Sequence, residues 1–243
     1  MMNPCALCLQ PKPLCRSHIV PEFMHVGMYD DKHRFFGLSS TPERPVRFFQ
    51  KGLREQLLCD DCEQQFSHYE HYASRVFYGE EVQVQPVEIG MLLSGLDYPR
   101  LKLFLLSLLW RFSVTKLEHL KGAQLGPHAE RIRQMLIDED PGGQLVYPCM
   151  ITAVVHDRKH VSDLIVPPMT TRVNRQHVWN LVVAGFLMSF FVGKGSPPGA
   201  LNPLFLQEGG TLVVPIQELR DIDFLHKFSL EIGAAQRARR ARR

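Results

Sequence analysis

Four cysteines in the first quarter of the chain form two pairs with the spacing of metal ligands. Cys5 and Cys8 make one Cys-x-x-Cys pair, and Cys59 and Cys62 make a second about fifty residues later. Each pair can supply two thiolates from one tight turn, and four thiolates complete the tetrahedral shell that zinc prefers. Because such a shell has no open coordination position, the spacing predicts a structural zinc ion and not a catalytic one.

The cysteine pairs have two alternative interpretations. One is chance spacing in a reduced protein, and the other is redox chemistry. A redox Cys-x-x-Cys motif opens a helix within a βαβ unit, and that context is missing around both pairs. Cys15 and Cys149 lie outside the pairs, and we expect both to be buried among apolar residues.

A histidine that could act as a base lies between the two pairs, in the stretch CRSHIVPEF at residues 15–23. An imidazole has a pKa near neutrality, so His18 could accept a proton from water at physiological pH. Phosphodiester hydrolysis needs such a base, together with a cation that offsets the charge of the phosphate. The alternative is a structural histidine packed against the cysteines.

The hydrophobic pattern predicts mainly helices before residue 144. A helix is expected after Cys62, with Gly79 as its stop signal. Residues 82–99 resemble a linker, residues 100–120 predict a buried helix, and residues 126–140 predict an amphipathic one. Arg111 lies on the buried helix, where we expect it to pair with a carboxylate because an unpaired buried charge is costly.

The pattern changes to strands after residue 144. Runs rich in β-branched and aromatic residues are broken by glycine and proline, and the segment around Ala184–Gly185 predicts either a hairpin or one long bent strand. Residues 220–233 predict a last helix. We therefore predict an α+β fold with an N-terminal zinc module at 1–80, a helical segment at 81–143, a mainly antiparallel α+β region at 144–233 and a basic disordered tail at 234–243.

Charge is distributed unevenly along the chain. The net charge is +3, and five arginines lie within the last seven residues, so the remainder carries 3 − 5 = −2. A basic tail can bind phosphates through counterion release, which makes Arg239 and Arg240 candidate nucleic-acid contacts. No secretory signal is recognisable, and the apolar runs are too short to span a bilayer. We therefore expect a cytoplasmic protein without a membrane partner.

The N-terminal third resembles the HNH endonuclease superfamily, in its zinc-bound form with a ββα-metal or treble-clef core. The resemblance rests on Cys-x-x-Cys, then Ser-His-Ile-Val-Pro, then Leu-Leu-Cys-Asp-Asp-Cys-Glu opening a helix, and it covers roughly the first 75 residues. It implies that His18 is the general base for hydrolysis of DNA phosphodiester bonds. It also implies a catalytic Mg²⁺ or Mn²⁺ ion besides the structural zinc, and family context suggests a role in defence against phage.

Carried over by position, the resemblance makes Glu63 a ligand of the catalytic metal, because it follows the last cysteine directly. Glu70, two helical turns further on, and Ser17, next to His18, are weaker candidates for the same ion. The alternative for Glu63 is a carboxylate that complements the helix dipole. Two arginines could flank a DNA groove: Arg16 and Arg47.

The chain departs from the family pattern at two places. Ser17 stands where family members carry Asp or His as a metal ligand, and no asparagine lies between His18 and Cys62. A second hypothesis therefore stays open, in which the module is a non-catalytic zinc scaffold that binds nucleic acid or protein. In either case the region after residue 80 could bind a protein partner.

Overall fold

The computed structural model describes residues 3–38, 47–118, 120, 123–174, 176–193 and 195–241. Its first part contains a turn at the first cysteine pair, a short 3-10 helix at Glu22–Met28, four strands and one long helix. The bounds of these elements are β1 (Leu14–His18), β2 (Arg34–Gly37), β3 (Arg47–Gln50), β4 (Arg54–Cys59) and α1 (Asp60–Phe77).

Strands β1 and β4 pair in antiparallel fashion, and α1 begins where β4 ends. The first turn of α1 carries three acidic residues, which complement the positive end of the helix dipole, and the helix stops before Gly79 at φ +77°. Strands β2 and β3 form a separate two-stranded ribbon between β1 and β4 in the sequence. The N-terminal part is thus a β1–β4 pair followed by a helix, with the ribbon as an insertion.

Two helices follow: α2 (Tyr98–Val114) and α3 (Pro127–Ile137). The Asp97 side chain caps α2 by accepting a hydrogen bond from the backbone amide of Arg100. Most residues of α2 are buried, because the helix is apolar on nearly every side and packs between α1, α3 and the large sheet. One core therefore runs continuously from the cysteines through α2 to the sheet, as the edge-to-face contact of Phe66 with Trp110 illustrates.

The large sheet and the last helix complete the chain. The order of the strands across this sheet is β5-β6-β12-β7-β11-β10-β9, and β8 pairs with β7. Among the described residues, β12 and β7 are the only neighbouring strands that run parallel. The bounds are β5 (Gln83–Val87), β6 (Gly90–Ser94), β7 (Cys149–His156), β8 (Lys159–His160), β9 (Ile165–Val173), β10 (Gln176–Val183), β11 (Phe186–Val192), β12 (Thr211–Glu218) and α4 (Asp223–Ala241).

The predicted α+β class is confirmed, and three details are sharpened or corrected. The turn at Ala184–Gly185 is a hairpin with φ values of +52° and +77°, the two left-handed residues that a tight hairpin needs. Residues 83–94 form the β5–β6 hairpin and not a linker, because β12 offers them an edge to pair with. Residues 234–241 continue α4, so the expected disordered tail is helical up to Ala241.

No helix within the described ranges is long and apolar enough to cross a membrane.

Buried Arg111 on α2 has the carboxylate partner that its position predicts. Its Nη1 donates to Glu70 Oε1 at 2.7 Å and to the backbone carbonyl oxygen of His18 at 2.9 Å. Its Nη2 donates to the hydroxyl of Ser107. One guanidinium therefore ties α1, α2 and the end of β1 together.

Removing the carboxylate of Glu70 should destabilise the protein, because it leaves the charge of Arg111 buried without a counterion. The Arg111 side chain is 2% exposed and that of Glu70 is 25% exposed. We expect Glu70→Ala to lower the free energy of unfolding by about 2 kcal/mol, below the roughly 3–5 kcal/mol for a fully buried pair because Glu70 is partly solvated. Urea unfolding measures it, and Glu80→Ala, at an exposed carboxylate, is the matched control. Equal midpoints for both variants would contradict the structural role of Glu70.

Candidate metal centre and histidine site

The two cysteine pairs meet in space as their spacing predicts. The four Sγ atoms of Cys5, Cys8, Cys59 and Cys62 all lie within 4.8 Å of one another, and those of Cys8 and Cys59 are 3.8 Å apart. Zinc–sulfur bonds of about 2.3 Å in a tetrahedron place neighbouring sulfurs about 3.8 Å apart. The donor set and its size therefore fit a four-thiolate metal site.

Local structure explains how each pair reaches this point. The first pair sits in a turn that is anchored to β4 by the amide of Ala6, which donates to the carbonyl of Leu57. In the second pair, Cys59 is the last residue of β4 and Cys62 lies in the first turn of α1. A metal bound here would fix the N-terminal turn to the junction between strand and helix.

Burial disfavours negative charge on two of the thiols, those of Cys59 and Cys62, whereas backbone amides lower the pKa of the Cys5 thiol. Burial raises the pKa of the Cys62 thiol far above its ordinary value, and neighbouring cysteines raise it further. The backbone amide of Cys59 points at Cys5 Sγ from 3.3 Å, as amides do toward metal-bound thiolates. Four ionised thiols at this distance need a cation among them, and a divalent metal would supply that charge.

His18 lies at the end of β1 with two charged groups on the same nitrogen. Its Nε2 is 2.9 Å from Glu22 Oε2 and 2.7 Å from the Arg54 Nε, which donates to it. Arg54 stands directly across from His18 in the β1–β4 register. Gly52 lies against this group: a Cβ there would come within 3.2 Å of His18 Nε2 and Glu22 Oε2. A side chain at position 52 would therefore crowd both groups, and the φ of +73° at this residue also favours glycine.

The electrostatics favour a neutral His18. Burial lowers the pKa of its imidazole and the Arg54 guanidinium lowers it further, while Glu22 acts in the opposite direction. With Arg54 donating to Nε2, that nitrogen carries the lone pair, the proton lies on Nδ1, and the 2.9 Å approach of Glu22 Oε2 is a contact between two acceptors. His18 thus has the protonation state that a general base requires, with the basic lone pair on the side that faces Glu22 and Arg54.

Glu22 is the carboxylate of this group and is held by aromatic neighbours. The hydroxyl of Tyr29 donates to Glu22 Oε1 at 2.8 Å, and His33 Nε2 lies 3.5 Å from the same oxygen. Burial acts to raise the pKa of Glu22, but effects in the opposite direction, of which the hydrogen bond from the Tyr29 hydroxyl is the largest, keep the pKa below its ordinary value. Buried His25 packs beside this cluster, with its Nδ1 against the carbonyl of Pro21. Glu22 is therefore ionised and faces several donors.

Glu63 lies in a different environment from the one that the resemblance implies. It is largely buried beside Ser17, and its Oε1 has no hydrogen-bond partner among the described residues. Burial raises its pKa, and a hydrogen bond with Ser17 partly offsets the effect. Ser17 is itself buried and accepts from the amide of Leu58. Because side chains alternate along a strand, Ser17 and His18 face opposite sides of β1. Glu63 lies on the side of Ser17, and the carboxylate next to His18 is that of Glu22.

The remaining predicted site residues lie at several places. Glu70 is engaged by Arg111, which gives it a structural partner in place of a metal. Arg16 is exposed on β1, and Arg47 is exposed at the start of β3. The two arginines of the basic segment lie in the last turn of α4, a helix whose first half packs on the large sheet: Arg239 and Arg240.

Sequence reasoning missed two residues of the histidine site, Glu22 and Arg54. A signal for Glu22 was present, since it follows His18 by four residues and Pro21 starts a tight helical turn that carries the carboxylate back to the strand end. Arg54 reaches His18 only through the pairing of β1 with β4, and its position alone carries no such information.

Comparison of the chain with protein-family models, with curated proteins and with solved structures gives no match.

Proposed function

We propose that this protein is a metal-dependent endonuclease that hydrolyses DNA phosphodiester bonds, with His18 as the general base and a structural zinc ion on the four cysteines. One observation carries the proposal: a neutral, half-buried histidine whose Nε2 meets both a carboxylate and a guanidinium, on the strand that is packed against the cysteine cluster. A base, a carboxylate for a cation and a donor for phosphate are the three groups that this hydrolysis requires.

Each group has a defined role. His18 Nε2 accepts a proton from the attacking water. Arg54 supplies the guanidinium that binds phosphate oxygens. In the free protein this guanidinium donates to His18 Nε2, and when it donates to a phosphate instead, the lone pair of His18 becomes available. Glu22, ionised and 40% exposed at its side chain, would hold the divalent cation, since Mg²⁺ sites commonly use one or two carboxylates with substrate phosphate. The cation would neutralise charge on the phosphate and stabilise the leaving oxygen.

The arrangement of elements supports an HNH-like core. A strand that ends at the base, an antiparallel partner strand and a helix that begins at the second cysteine pair reproduce the order that the resemblance implies. Zinc is the metal we propose for the cysteines, because four thiolates in a tetrahedral cluster are its preferred structural shell. The rigid turn and strand–helix junction would hold His18 steady against its partners.

One observation favours a second function. In the free protein the His18 lone pair is already engaged by Arg54, so the trio would also serve as an ion-pair network in a zinc scaffold without catalysis. Such a scaffold would bind nucleic acid or protein. The two functions differ in whether divalent cations produce strand breaks.

Paired glutamate variants test the proposed site. Supercoiled plasmid is incubated with the zinc-loaded protein in added Mg²⁺ or Mn²⁺, and nicking is followed on agarose gels. We expect Glu22→Gln to slow nicking by about a hundredfold or more, since loss of even an outer-shell partner of a metal costs about 10–100-fold, and Glu63→Gln to nick close to the wild-type rate. Loss in Glu63→Gln with full activity in Glu22→Gln would restore Glu63 as the ligand. No nicking by the wild type in either metal, on single- or double-stranded substrate, favours the scaffold.

A further inference from the structure

The β2–β3 ribbon has one covered face and one open face. In its register Phe35 pairs with Phe49 and Phe36 pairs with Phe48. The first pair stacks at a centroid distance of 5.2 Å, and Phe35, only 4% exposed, packs against His25 of the histidine site. Alternation along the strands places the second pair on the opposite face.

The open face presents two aromatic rings to solvent. Phe36 is 51% exposed and Phe48 is 57% exposed, and their centroids are 4.9 Å apart. The Arg34 guanidinium carbon lies 5.2 Å from the centre of the Phe48 ring, and Asp30 holds that guanidinium in place through a 2.8 Å contact. Two rings, tilted by 55° to each other, and a guanidinium therefore form one aromatic and cationic patch that no described residue covers.

The charge around this surface is positive. Residues 30–38 and 47–53, the ribbon with its two flanking turns, carry four Lys or Arg and two Asp, a balance of 4 − 2 = +2. One of the two aspartates, Asp30, is already bound by Arg34. Arg47 and Lys51 at the ends of β3 are exposed. An aromatic surface of this kind within a positive rim is complementary to bases and phosphates together.

We propose that the open face of the β2–β3 ribbon, formed by Phe36, Phe48 and Arg34, is a stacking platform for single-stranded nucleic acid. Unpaired bases stack on the two rings, and Lys51, just beyond β3, contacts a backbone phosphate. Duplex DNA keeps its bases stacked on one another and cannot use the rings in this way. The platform gives the proposed endonuclease a preference for unpaired strands, such as the locally unwound regions of a supercoiled plasmid, and so rests on that function, while binding itself needs neither His18 nor a divalent cation.

The ribbon is also connected to the histidine site. Phe35 on its covered face contacts His25, and Tyr29, whose hydroxyl binds Glu22, lies 6.0 Å from the same ring. A strand bound on the open face would therefore lie on the side of the ribbon opposite to the histidine site. Gly37 allows this packing, because a Cβ there would meet the Phe49 ring at 2.5 Å.

Fluorescence anisotropy with labelled 20-nucleotide oligo-dT, oligo-U and a DNA duplex of equal length tests the platform in the full chain, without added divalent cation. We expect Phe36→Leu with Phe48→Leu to weaken binding of the single strands by about tenfold for each ring lost. Duplex binding should not change. Phe36→Tyr with Phe48→Tyr keeps the rings and should restore single-strand affinity. Tyr78→Leu, at an exposed aromatic outside the ribbon, is the matched control.

The two single-stranded probes also separate DNA from RNA as the bound strand. Unchanged single-strand affinity in the double Leu variant, with zinc content intact, would overturn the platform, as would an equal loss in Tyr78→Leu. A wild-type dimer that the double Leu variant disrupts, without effect on oligonucleotide affinity, would show that a second copy covers this face and would also overturn it. Failure of the endonuclease is distinguishable, because it appears as absent nicking while ring-dependent binding persists.

Discussion

His18→Ala is expected to lower the rate of metal-dependent plasmid nicking by about a thousandfold, the middle of the range for loss of a general base. The neutral imidazole holds its lone pair on Nε2, between Glu22 and Arg54, and alanine has no group that accepts a proton there. The backbone should be preserved, because the tie from Arg111 reaches the carbonyl oxygen of residue 18 and not its side chain. Initial rates on supercoiled plasmid in Mg²⁺ and in Mn²⁺ measure the effect.

The control for this variant is His68→Ala, which removes an exposed histidine from α1 within the same module. It should nick at the wild-type rate. Zinc content and the urea midpoint of both variants should match the wild type, so that a loss of rate reports chemistry and not unfolding. Wild-type rates in His18→Ala would remove the histidine from the reaction.

Loss of one zinc ligand is expected to have the largest effect on folding. Cys62→Ser removes a buried sulfur from the cluster, and structural zinc contributes about 10 kcal/mol or more in small zinc modules. That exceeds or equals the whole stability of many domains, and the core is continuous from the cysteines to the large sheet, so we expect the N-terminal part to unfold and the stability of the whole chain to fall. Metal analysis should show one zinc per wild-type chain and less in the variant. Limited proteolysis should then cut within residues 3–80.

Cys15→Ser is the matched control for the zinc prediction. Cys15 lies on β1 in the same part of the chain but outside the four-sulfur cluster. It should keep one zinc and the wild-type proteolysis pattern. A Cys62→Ser protein with full zinc content and an intact N-terminal part would show that the cluster does not hold a structural metal.

The cysteine cluster was predictable because its information is local. Two Cys-x-x-Cys pairs supply the four ligands of a structural zinc site, and each pair needs only one turn to present both sulfurs. The helix after Cys62 was predictable for the same reason, since its periodicity and the glycine that ends it are contiguous in the sequence. The pairing of Arg111 with a carboxylate followed from the cost of burying a charge, although the identity of Glu70 did not.

The partners of His18 depend on tertiary structure and were not predictable to the same degree. Arg54 meets the imidazole because of strand register, which is decided by pairing across 36 residues. The resemblance favoured Glu63 as the carboxylate beside His18. The alternation of side chains along β1 turns Ser17 and His18 to opposite sides, however, and Glu63 lies on the side of Ser17. The β5–β6 hairpin resembles a linker in sequence because its pairing partner, β12, lies more than a hundred residues later.

Chemical rescue is the most direct test of the central claim, that the His18 imidazole removes a proton during phosphodiester hydrolysis. Plasmid nicking by zinc-loaded His18→Ala is measured with Mg²⁺ and increasing free imidazole. The half-buried side chain leaves a space open to solvent, so we predict a rate that rises with the concentration of neutral imidazole, with no such rise for Glu22→Gln. Nicking by His18→Ala at the wild-type rate without imidazole, or an equal response to imidazole in both variants, would contradict the assignment.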